Sequence, residues 1–188
     1  KFREEYLPER HKEWIPLPEG KFDVIYADPP WEYDFPSPSE SRQIDTHYPT
    51  MKLEEICNIP ELKDKIADDA VLLLWCPKEL IEKGLEVIKA WGFEYHTHAV
   101  WVKDKIGMGY WFRSQHEVLL LATKGNFPAP KPENRFPSVI NAPRTEHSKK
   151  PDIVYEIIEK MFPNRRYLEL FARKKREGWV GWGLEYEG

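Results

Sequence analysis

The sequence is poor in the residue types that build disulfide, metal and membrane proteins. It has two cysteines among 188 residues, Cys57 and Cys76, which are too far apart for a CxxC motif. They predict small buried thiols in a reducing cytoplasm rather than a disulfide framework. The six histidines show no ligand spacing, so no metal site is expected. No apolar run approaches the roughly 20 residues of a transmembrane helix, so no membrane role is expected.

The chain also lacks an excess of positive charge. It has 28 Lys and Arg residues against 32 Asp and Glu residues, which gives a net charge of −4. A protein that binds nucleic acid tightly by itself usually has a basic surface. The basic residues here cluster only locally, from Arg144 to Lys150 and from Arg165 to Arg176. Any affinity for nucleic acid is therefore expected to be modest, or supplied by a partner.

The length of 188 residues predicts one domain with a substantial core. Residues 1–20 are charged and interrupted by proline, and we expect them to form an N-terminal arm anchored by Trp14 and Ile15. Residues 21–188 are expected to form a single domain, because no repeat or composition change divides them. A long polar stretch, Glu32 to Tyr48, is predicted to be a lid or substrate loop, with a simple insertion as the alternative.

Apolar runs and helical periodicity alternate along the rest of the chain. The predicted strands are Lys21–Ala27, Ala70–Trp75, Tyr95–Val102, Glu117–Thr123, Tyr167–Phe171 and Trp179–Trp182. The predicted helices are Met51–Asn58, Pro60–Ala67, Lys78–Trp91, with Ile81, Leu85 and Ile88 at helical spacing, and Pro151–Met161. The proline-rich stretch Phe127–Pro143 is predicted to be irregular. The alternation favours an α/β fold with a parallel-rich, doubly wound sheet.

The first predicted strand ends abruptly at Asp28-Pro29-Pro30-Trp31. Two prolines cannot continue a strand, so a carboxylate, two stiff residues with free carbonyls and an indole lie at its carboxyl end, where α/β sheets bind ligands. The carboxylate and the Pro29 carbonyl suit an exocyclic amine with two N–H donors, and Trp31, with Tyr33, could stack on a planar base. The alternative is an ordinary turn with Trp31 in the core.

Two further stretches are candidates for ligand binding. The stretch from Asp104 to Gln115 contains Tyr110, Trp111, Phe112 and Arg113, which suit contacts with bases, although three consecutive aromatics are more often core. A nucleotide-like cofactor needs an acid at the end of a strand, and Glu169 in Tyr167–Arg173 is the best candidate, because no glycine-rich fingerprint occurs near the N-terminus. Glu169 could instead pair with Arg165 or Arg166, and Lys150 could be a solvated charge.

The ordered motifs resemble those of the MT-A70 family of adenine methyltransferases, over about residues 20 to 185. Each motif is weak alone, but the ordered set is specific. The matching segments are Asp28-Pro29-Pro30-Trp31, Tyr48-Pro49-Thr50-Met51, Leu73-Leu74-Trp75, Trp91-Gly92-Phe93, Val100-Trp101-Val102-Lys103, Lys124-Gly125-Asn126, Ser148-Lys149-Lys150-Pro151-Asp152 and Glu169-Leu170-Phe171-Ala172-Arg173.

The resemblance implies a Rossmann-like methyltransferase sheet in circularly permuted order, with the catalytic strand before the cofactor strand and helices on both faces. It also implies S-adenosylmethionine as methyl donor. By the resemblance, Asp28 to Trp31 are catalytic, and Asp28 faces both donor and amine. The residues expected to bind the donor are Asp28, Lys150, Glu169, Leu170, Phe171 and Arg173. The residues expected to bind substrate are Tyr33, Tyr48, Trp111 and Arg113.

One position departs from the family pattern. Where the family often has G-N-[EQ], this sequence has Gly183-Leu184-Glu185. The Leu184 side chain cannot form a hydrogen bond, so Glu185, Arg176 or a backbone group must substitute for the family's asparagine. The departure also keeps open a non-catalytic member of the family.

The resemblance predicts methylation of the 6-amino group of adenine in nucleic acid. DNA is favoured over RNA because the compact chain resembles the prokaryotic and phage branch. The alternatives are an RNA methyltransferase, a scaffold subunit of such a complex, and a small-molecule amine methyltransferase. The expected location is cytoplasmic, or nuclear in a eukaryote, and both a homodimer and a heteromeric partner remain open.

Overall fold

A computed structural model describes residues 15–33, 50–145, 149–184 and 186. Within these residues the chain forms one mixed sheet with helices on both faces, as expected for a Rossmann-like α/β methyltransferase. The strands are β1 Phe22–Ala27, β2 Ile66–Cys76, β3 Glu94–Val102, β4 His116–Lys124, β5 Val139–Asn141, β6 Tyr167–Leu170 and β7 Trp179–Trp182. The α-helices are α1 Leu53–Cys57, α2 Leu62–Lys65, α3 Ile81–Ala90 and α4 Ile153–Met161, and single 3₁₀ turns form at Lys78–Leu80 and Pro132–Asn134.

The sheet has the order β5-β3-β4-β2-β1-β6-β7. Strands β1, β2, β6 and β7 pair in parallel, and β3 pairs in parallel with β5. Strand β4 lies between β2 and β3 and runs antiparallel to both, so the prediction of a parallel-rich sheet is confirmed with one reversed strand. Because of this reversal, β4 begins at the edge of the sheet where β1, β2, β3 and β6 end. We call this edge the carboxyl edge.

The two faces of the sheet bury two separate cores. Alternate residues of β1, such as Ile25 and Ala27, point to the face covered by α1, α2 and α3, which we call the α3 face. The intervening residues Val24 and Tyr26 point to the face covered by α4, which we call the α4 face. Every residue of β1 except Asp23 is buried, which agrees with its uninterrupted apolar sequence.

Several element predictions require correction. Strand β2 begins at Ile66, which shortens the second helix, and β5 forms inside the stretch predicted to be irregular. Ile81 and Leu85 of α3 are exposed, and the buried side of the helix is instead Gly84, Val87 and Ile88. The reason is a close approach, since a Cβ at Gly84 would lie 2.7 Å from Cys76 Sγ.

The described part of the N-terminal arm is anchored differently from the prediction. The Ile15 side chain is exposed, and its backbone carbonyl accepts a hydrogen bond of 2.9 Å from Trp182 Nε1. Leu17 supplies the buried apolar contact with the α3 face. Trp14 lies outside the described residues. None of the helices in the described ranges is both long and apolar enough to cross a membrane.

Candidate active site

The Asp28-Pro29-Pro30-Trp31 segment forms a tight turn directly after β1. Trp31 N donates to the Pro29 carbonyl at 2.9 Å, and Met51 N donates to the Pro30 carbonyl at 2.8 Å. The prediction of free carbonyls is therefore wrong for both prolines. A carbonyl oxygen has two lone pairs, however, so Pro29 keeps the capacity to accept one more hydrogen bond. The turn leaves Asp28 half-buried at the carboxyl edge.

Trp31 lies in the core of the α3 face, which is the alternative that the sequence left open. Its indole is 6% exposed, and its Nε1 donates to the Trp75 carbonyl at 3.1 Å. A stacking face for a base must be accessible, so the proposed stacking role of Trp31 is not supported by this placement. Trp31 instead fixes the turn to the end of β2 and thereby positions Asp28.

A chain of ion pairs runs along the carboxyl edge from Asp28. Lys150 Nζ lies 3.2 Å from Asp28 Oδ2 and 3.6 Å from Glu117 Oε1, and Lys103 Nζ lies 3.4 Å from Glu117 Oε2. The two lysines of this ion-pair chain also lie over indole rings. Lys150 Nζ is 5.7 Å from the centroid of the Trp75 ring, and Lys103 Nζ is 5.0 Å from that of Trp101. The solvated-charge alternative for Lys150 is thus excluded.

Burial and neighbouring charges shift the pKa values of the central pair. Burial raises the pKa of Asp28, Lys150 opposes this shift and Glu117 adds to it. Burial alone would lower the pKa of Lys150, but the carboxylates of Asp28 and Glu117 outweigh it and raise that pKa. Lys150 is therefore protonated at neutral pH, and it stabilises the ionised form of Asp28.

Glu169 lies on the α4 face, opposite to Leu168 and Leu170, as the alternation of β6 predicts. It is paired in register with Tyr26 of β1, and Tyr155 Oη donates to its Oε1 at 2.7 Å. Burial raises the pKa of Glu169 from 4.5 to about 7, and the hydrogen bond from Tyr155 opposes this shift. The alternative, in which Glu169 pairs with Arg165 or Arg166, is wrong.

The two arginines of that alternative are occupied elsewhere. Arg165 Nη1 lies 3.2 Å from Asp23 Oδ2, and the backbone N–H of Arg166 donates to Asp23 Oδ1 at 2.8 Å. These contacts lie at the beginning of β1 and β6, at the opposite end of the strands from Asp28. They hold the two parallel strands together and leave the Glu169 carboxylate facing α4.

The other residues that the resemblance assigned to the donor divide into two groups. Phe171 and Arg173 follow β6 at the carboxyl edge. The positive charge of Arg173, like that of Lys150, opposes the rise in the pKa of Asp28 that burial causes. Leu170 is fully buried in the α3 face, so its side chain cannot line a site. Arg176 is bonded to Glu159 of α4 through Nε at 2.9 Å and Nη2 at 3.2 Å, so two of its three guanidinium nitrogens already have a partner.

Four further positions that the sequence analysis singled out either lie apart from the ion-pair chain or fall outside the described residues. Leu184 is exposed and makes no core contact that would explain its departure from the family pattern. Glu185 and Tyr48 lie outside the described residues, as does the loop before Tyr48 apart from its first two positions. Tyr33 is half-exposed, and partial burial together with the carboxylate of Glu79 raises its pKa to about 12.

The connection between β3 and β4 extends the sheet as a hairpin beyond the carboxyl edge, and we call residues 103–115 the aromatic arm. Lys103 N donates to the Gln115 carbonyl at 2.8 Å, and Gly107 N donates to the Ser114 carbonyl at 2.7 Å. At its tip Tyr110, Trp111 and Phe112 are 92%, 95% and 86% exposed. The alternative that these aromatics form core is wrong, because the arm projects away from both cores.

Two side chains that contact the predicted site residues belong to none of the sequence motifs. Glu117 connects Lys103 to Lys150, and Tyr155 bonds Glu169. The sequence predicts Glu117 only as the first residue of a strand, and its position at the edge follows from the reversed direction of β4. Tyr155 lies within an apolar helix, where no sequence signal distinguishes its hydroxyl. In the described part of the chain no cluster of three metal-binding side chains occurs.

Comparison with known proteins gives a consistent result. The MT-A70 family profile matches residues 22–185. The chain is 36% identical over 186 positions to the Type II methyltransferase M.MunI of Mycoplasma sp, covering 90% of this chain and 79% of that protein. It is 33% identical over 184 positions to the Arabidopsis thaliana N(6)-adenosine-methyltransferase MT-A70-like, covering 90% of this chain and 24% of that relative. It is 33% identical over 181 positions to the human N(6)-adenosine-methyltransferase catalytic subunit METTL3, covering 90% of this chain and 29% of that relative.

Proposed function

This chain belongs to the MT-A70 family, and from that membership and the geometry of its carboxyl edge we propose that it transfers a methyl group from S-adenosylmethionine to the 6-amino group of adenine in nucleic acid. The observation that carries the proposal is the placement of Asp28. Its carboxylate lies 3.2 Å from the Lys150 ammonium, at the edge from which the aromatic arm projects. An acceptor for an amine, a cation for a carboxylate and exposed aromatics for bases thus occupy one edge of the sheet.

Asp28 is proposed to accept hydrogen bonds from the target amine. The lone pair of an adenine amine is delocalised into the ring, so the amine is a poor nucleophile. Acceptors placed on its hydrogens favour tetrahedral nitrogen and stabilise the positive charge that develops as the new bond forms, an interaction stronger in the transition state than in the ground state. The second lone pair of the Pro29 carbonyl is available for the same amine.

The residues present fit the methyl donor. S-adenosylmethionine has a carboxylate, two ribose hydroxyls and a sulfonium, and it supplies an electrophilic methyl group. Lys150 is a cation at the edge, and the Glu169 carboxylate, at the corresponding end of β6, is an acceptor for the ribose hydroxyls. Positioning donor and amine together is the main contribution that such a site can make to the rate.

The aromatic arm is proposed to bind the polymer. Trp111 offers a face on which a base can stack, and Arg113 can neutralise a phosphate. The arm begins at Lys103, which the ion-pair chain connects through Glu117 and Lys150 to Asp28. An adenine in a duplex must leave the base stack to reach Asp28, at a cost of a few kcal/mol. A single-stranded or distorted substrate reduces that cost.

We favour DNA over RNA as the substrate. The Mycoplasma relative shares 36% identity over 79% of its own length. The N(6)-adenosine-methyltransferase relatives are 33% identical but match this chain over only about a quarter of their length, 24% and 29% for the plant and human proteins. These relations support the choice of polymer, and the experiment below decides it.

The test is methyl transfer from labelled S-adenosylmethionine to single-stranded DNA, duplex DNA and RNA of matched sequence. We expect N(6)-methyladenine in DNA, and the same reaction with Asp28→Ala should give none. Label in RNA alone would replace DNA by RNA as the substrate. Bound donor without transfer to any polymer would point to a missing partner or sequence context, whereas neither binding nor transfer would identify a scaffold subunit.

A further inference from the structure

Helix α4 supplies a hydroxyl to the proposed donor site. Tyr155 Oη donates to Glu169 Oε1 at 2.7 Å, and the two residues come from different elements, α4 and β6. The bond uses one oxygen of the carboxylate and leaves Oε2 for another donor. The rotamer of Glu169 therefore depends on the position of α4, and none of the motifs that resemble the family includes this helix.

The phenol of Tyr155 is itself held on several sides. Its ring packs edge-on against Tyr26 and Trp179, with centroid distances of 5.3 Å in both cases. The Arg176 guanidinium lies 4.6 Å from the ring centroid and is fixed by Glu159, one helical turn after Tyr155. Glu159 also accepts a hydrogen bond of 2.8 Å from Trp179 Nε1.

These contacts leave the hydroxyl little freedom. A side chain enclosed by two aromatic rings and a guanidinium cannot change its rotamer without moving a neighbour. The packing therefore favours the orientation in which the oxygen is directed at Glu169.

We propose that Tyr155 is a positioning residue, whose hydroxyl holds the Glu169 carboxylate with Oε2 free to accept hydrogen bonds from the ribose hydroxyls of the methyl donor. The inference rests on the proposed function, because it takes the donor to be a nucleoside. It adds a requirement that the proposed function does not contain, namely that α4 controls donor affinity through one hydrogen bond.

The charges around Glu169 make this requirement measurable. Burial and, to a smaller extent, the charge of Asp28 after β1 raise the pKa of Glu169, which is about 7 when all its neighbours are included. Tyr155 of α4, and Lys174 and Arg176 after β6, lower it. The neighbouring phenol of Tyr26 also faces Glu169, but it is neutral at this pH because burial raises its pKa well above 10.0. Removal of the Tyr155 hydroxyl therefore raises the pKa of Glu169 and protonates more of it at neutral pH.

The experiment measures S-adenosylmethionine affinity of the whole chain by calorimetry between about pH 6 and about pH 9, for the wild type and Tyr155→Phe. Affinity in the wild type should fall as the pH decreases through the pKa of about 7. In Tyr155→Phe the midpoint should move upward by about 0.5 to 1 pH unit, the equivalent of one hydrogen bond. Affinity at neutral pH should fall about two- to sixfold, because a smaller fraction of Glu169 is then ionised, while turnover at saturating donor is retained.

A matched control is Tyr167→Phe. The Tyr167 hydroxyl belongs to the same aromatic cluster, because the ring stacks on Trp179 at 4.8 Å, but it donates to the Phe162 carbonyl at 2.5 Å instead of to Glu169. This control should lower thermal stability and leave the pH midpoint of donor binding unchanged. Glu169→Gln provides a second variant, in which the part of the pH dependence due to Glu169 should disappear.

An unchanged midpoint in Tyr155→Phe would overturn the inference, and so would an equal shift in Tyr167→Phe. A pH dependence that survives intact in Glu169→Gln would overturn it even if Tyr155→Phe failed to fold. Absence of donor binding in the wild type has a different meaning, since it would contradict the proposed function itself and the inference with it. The two failures are thus distinguishable by the wild-type titration alone.

Discussion

The two faces of the sheet differ in how their polar atoms are bonded. On the α3 face, the indoles of Trp31, Trp91 and Trp182 all donate to backbone carbonyls. On the α4 face, side chains also bond to side chains, with Trp75 Nε1 donating to Tyr26 Oη at 2.6 Å and Tyr155 donating to Glu169. Because these bonds connect different elements, the α4 face is a polar network as well as a core.

The comparison shows that a strand buried on both faces can present its functional side chains on one face only. Side chains of β1 and β6 alternate between the faces, so Ile25 and Leu168 serve the α3 core while Tyr26 and Glu169 serve the network. Asp28 continues the second series beyond the end of β1. The α3 face can thus be purely a matter of stability, and the α4 face carries the groups that we propose bind ligands.

The largest effect that separates the faces is expected from Leu72→Ala. Leu72 is fully buried in the α3 face, so the cavity should lower the free energy of unfolding by about 2–5 kcal/mol, measured by urea denaturation. The pH midpoint of donor binding should not change, in contrast with Tyr155→Phe. A shifted midpoint in Leu72→Ala would show that the two faces are not independent.

A smaller effect, confined to substrate binding, is expected from Trp111→Ala in the aromatic arm. Loss of one stacking platform should weaken nucleic-acid binding by about 1–3 kcal/mol, measured as the KM for the oligonucleotide. The thermal midpoint should stay the same, because the side chain is 95% exposed. Leu85→Ala, an exposed apolar change on α3, is the control and should alter neither quantity. An unchanged KM in Trp111→Ala would remove the arm from the site.

The sequence predicts the elements well where a local pattern decides them. The run ending at Ala27 gives the end of β1, because a buried strand of a parallel sheet is continuously apolar. The sequence does not predict the reversed insertion of β4 between β2 and β3, because the order of pairing depends on the whole topology rather than on a local pattern. The three-residue strand β5 is too short to produce a pattern.

The residues of the candidate site also divide into those that a local motif predicts and those whose surroundings depend on the whole fold. Motifs locate Asp28 and Lys150, which are far apart in the chain and become neighbours because β1 ends, and α4 begins, at the same edge of the sheet. They do not indicate that Leu170 is fully buried or that Arg176 pairs with Glu159, because closeness to a motif says nothing about burial or a neighbouring carboxylate. Trp31 shows the same limit, since a residue next to a site can equally be the core contact that fixes the site.

The most direct test of the account is a comparison of donor affinity and turnover in Asp28→Asn. The substitution keeps the size of the side chain and leaves Lys150 paired with Glu117, but it replaces one acceptor oxygen by an amide donor. We predict that methyl transfer falls by about 100-fold or more, while S-adenosylmethionine affinity changes by less than about threefold. Turnover close to that of the wild type would contradict the assignment of Asp28 to the target amine.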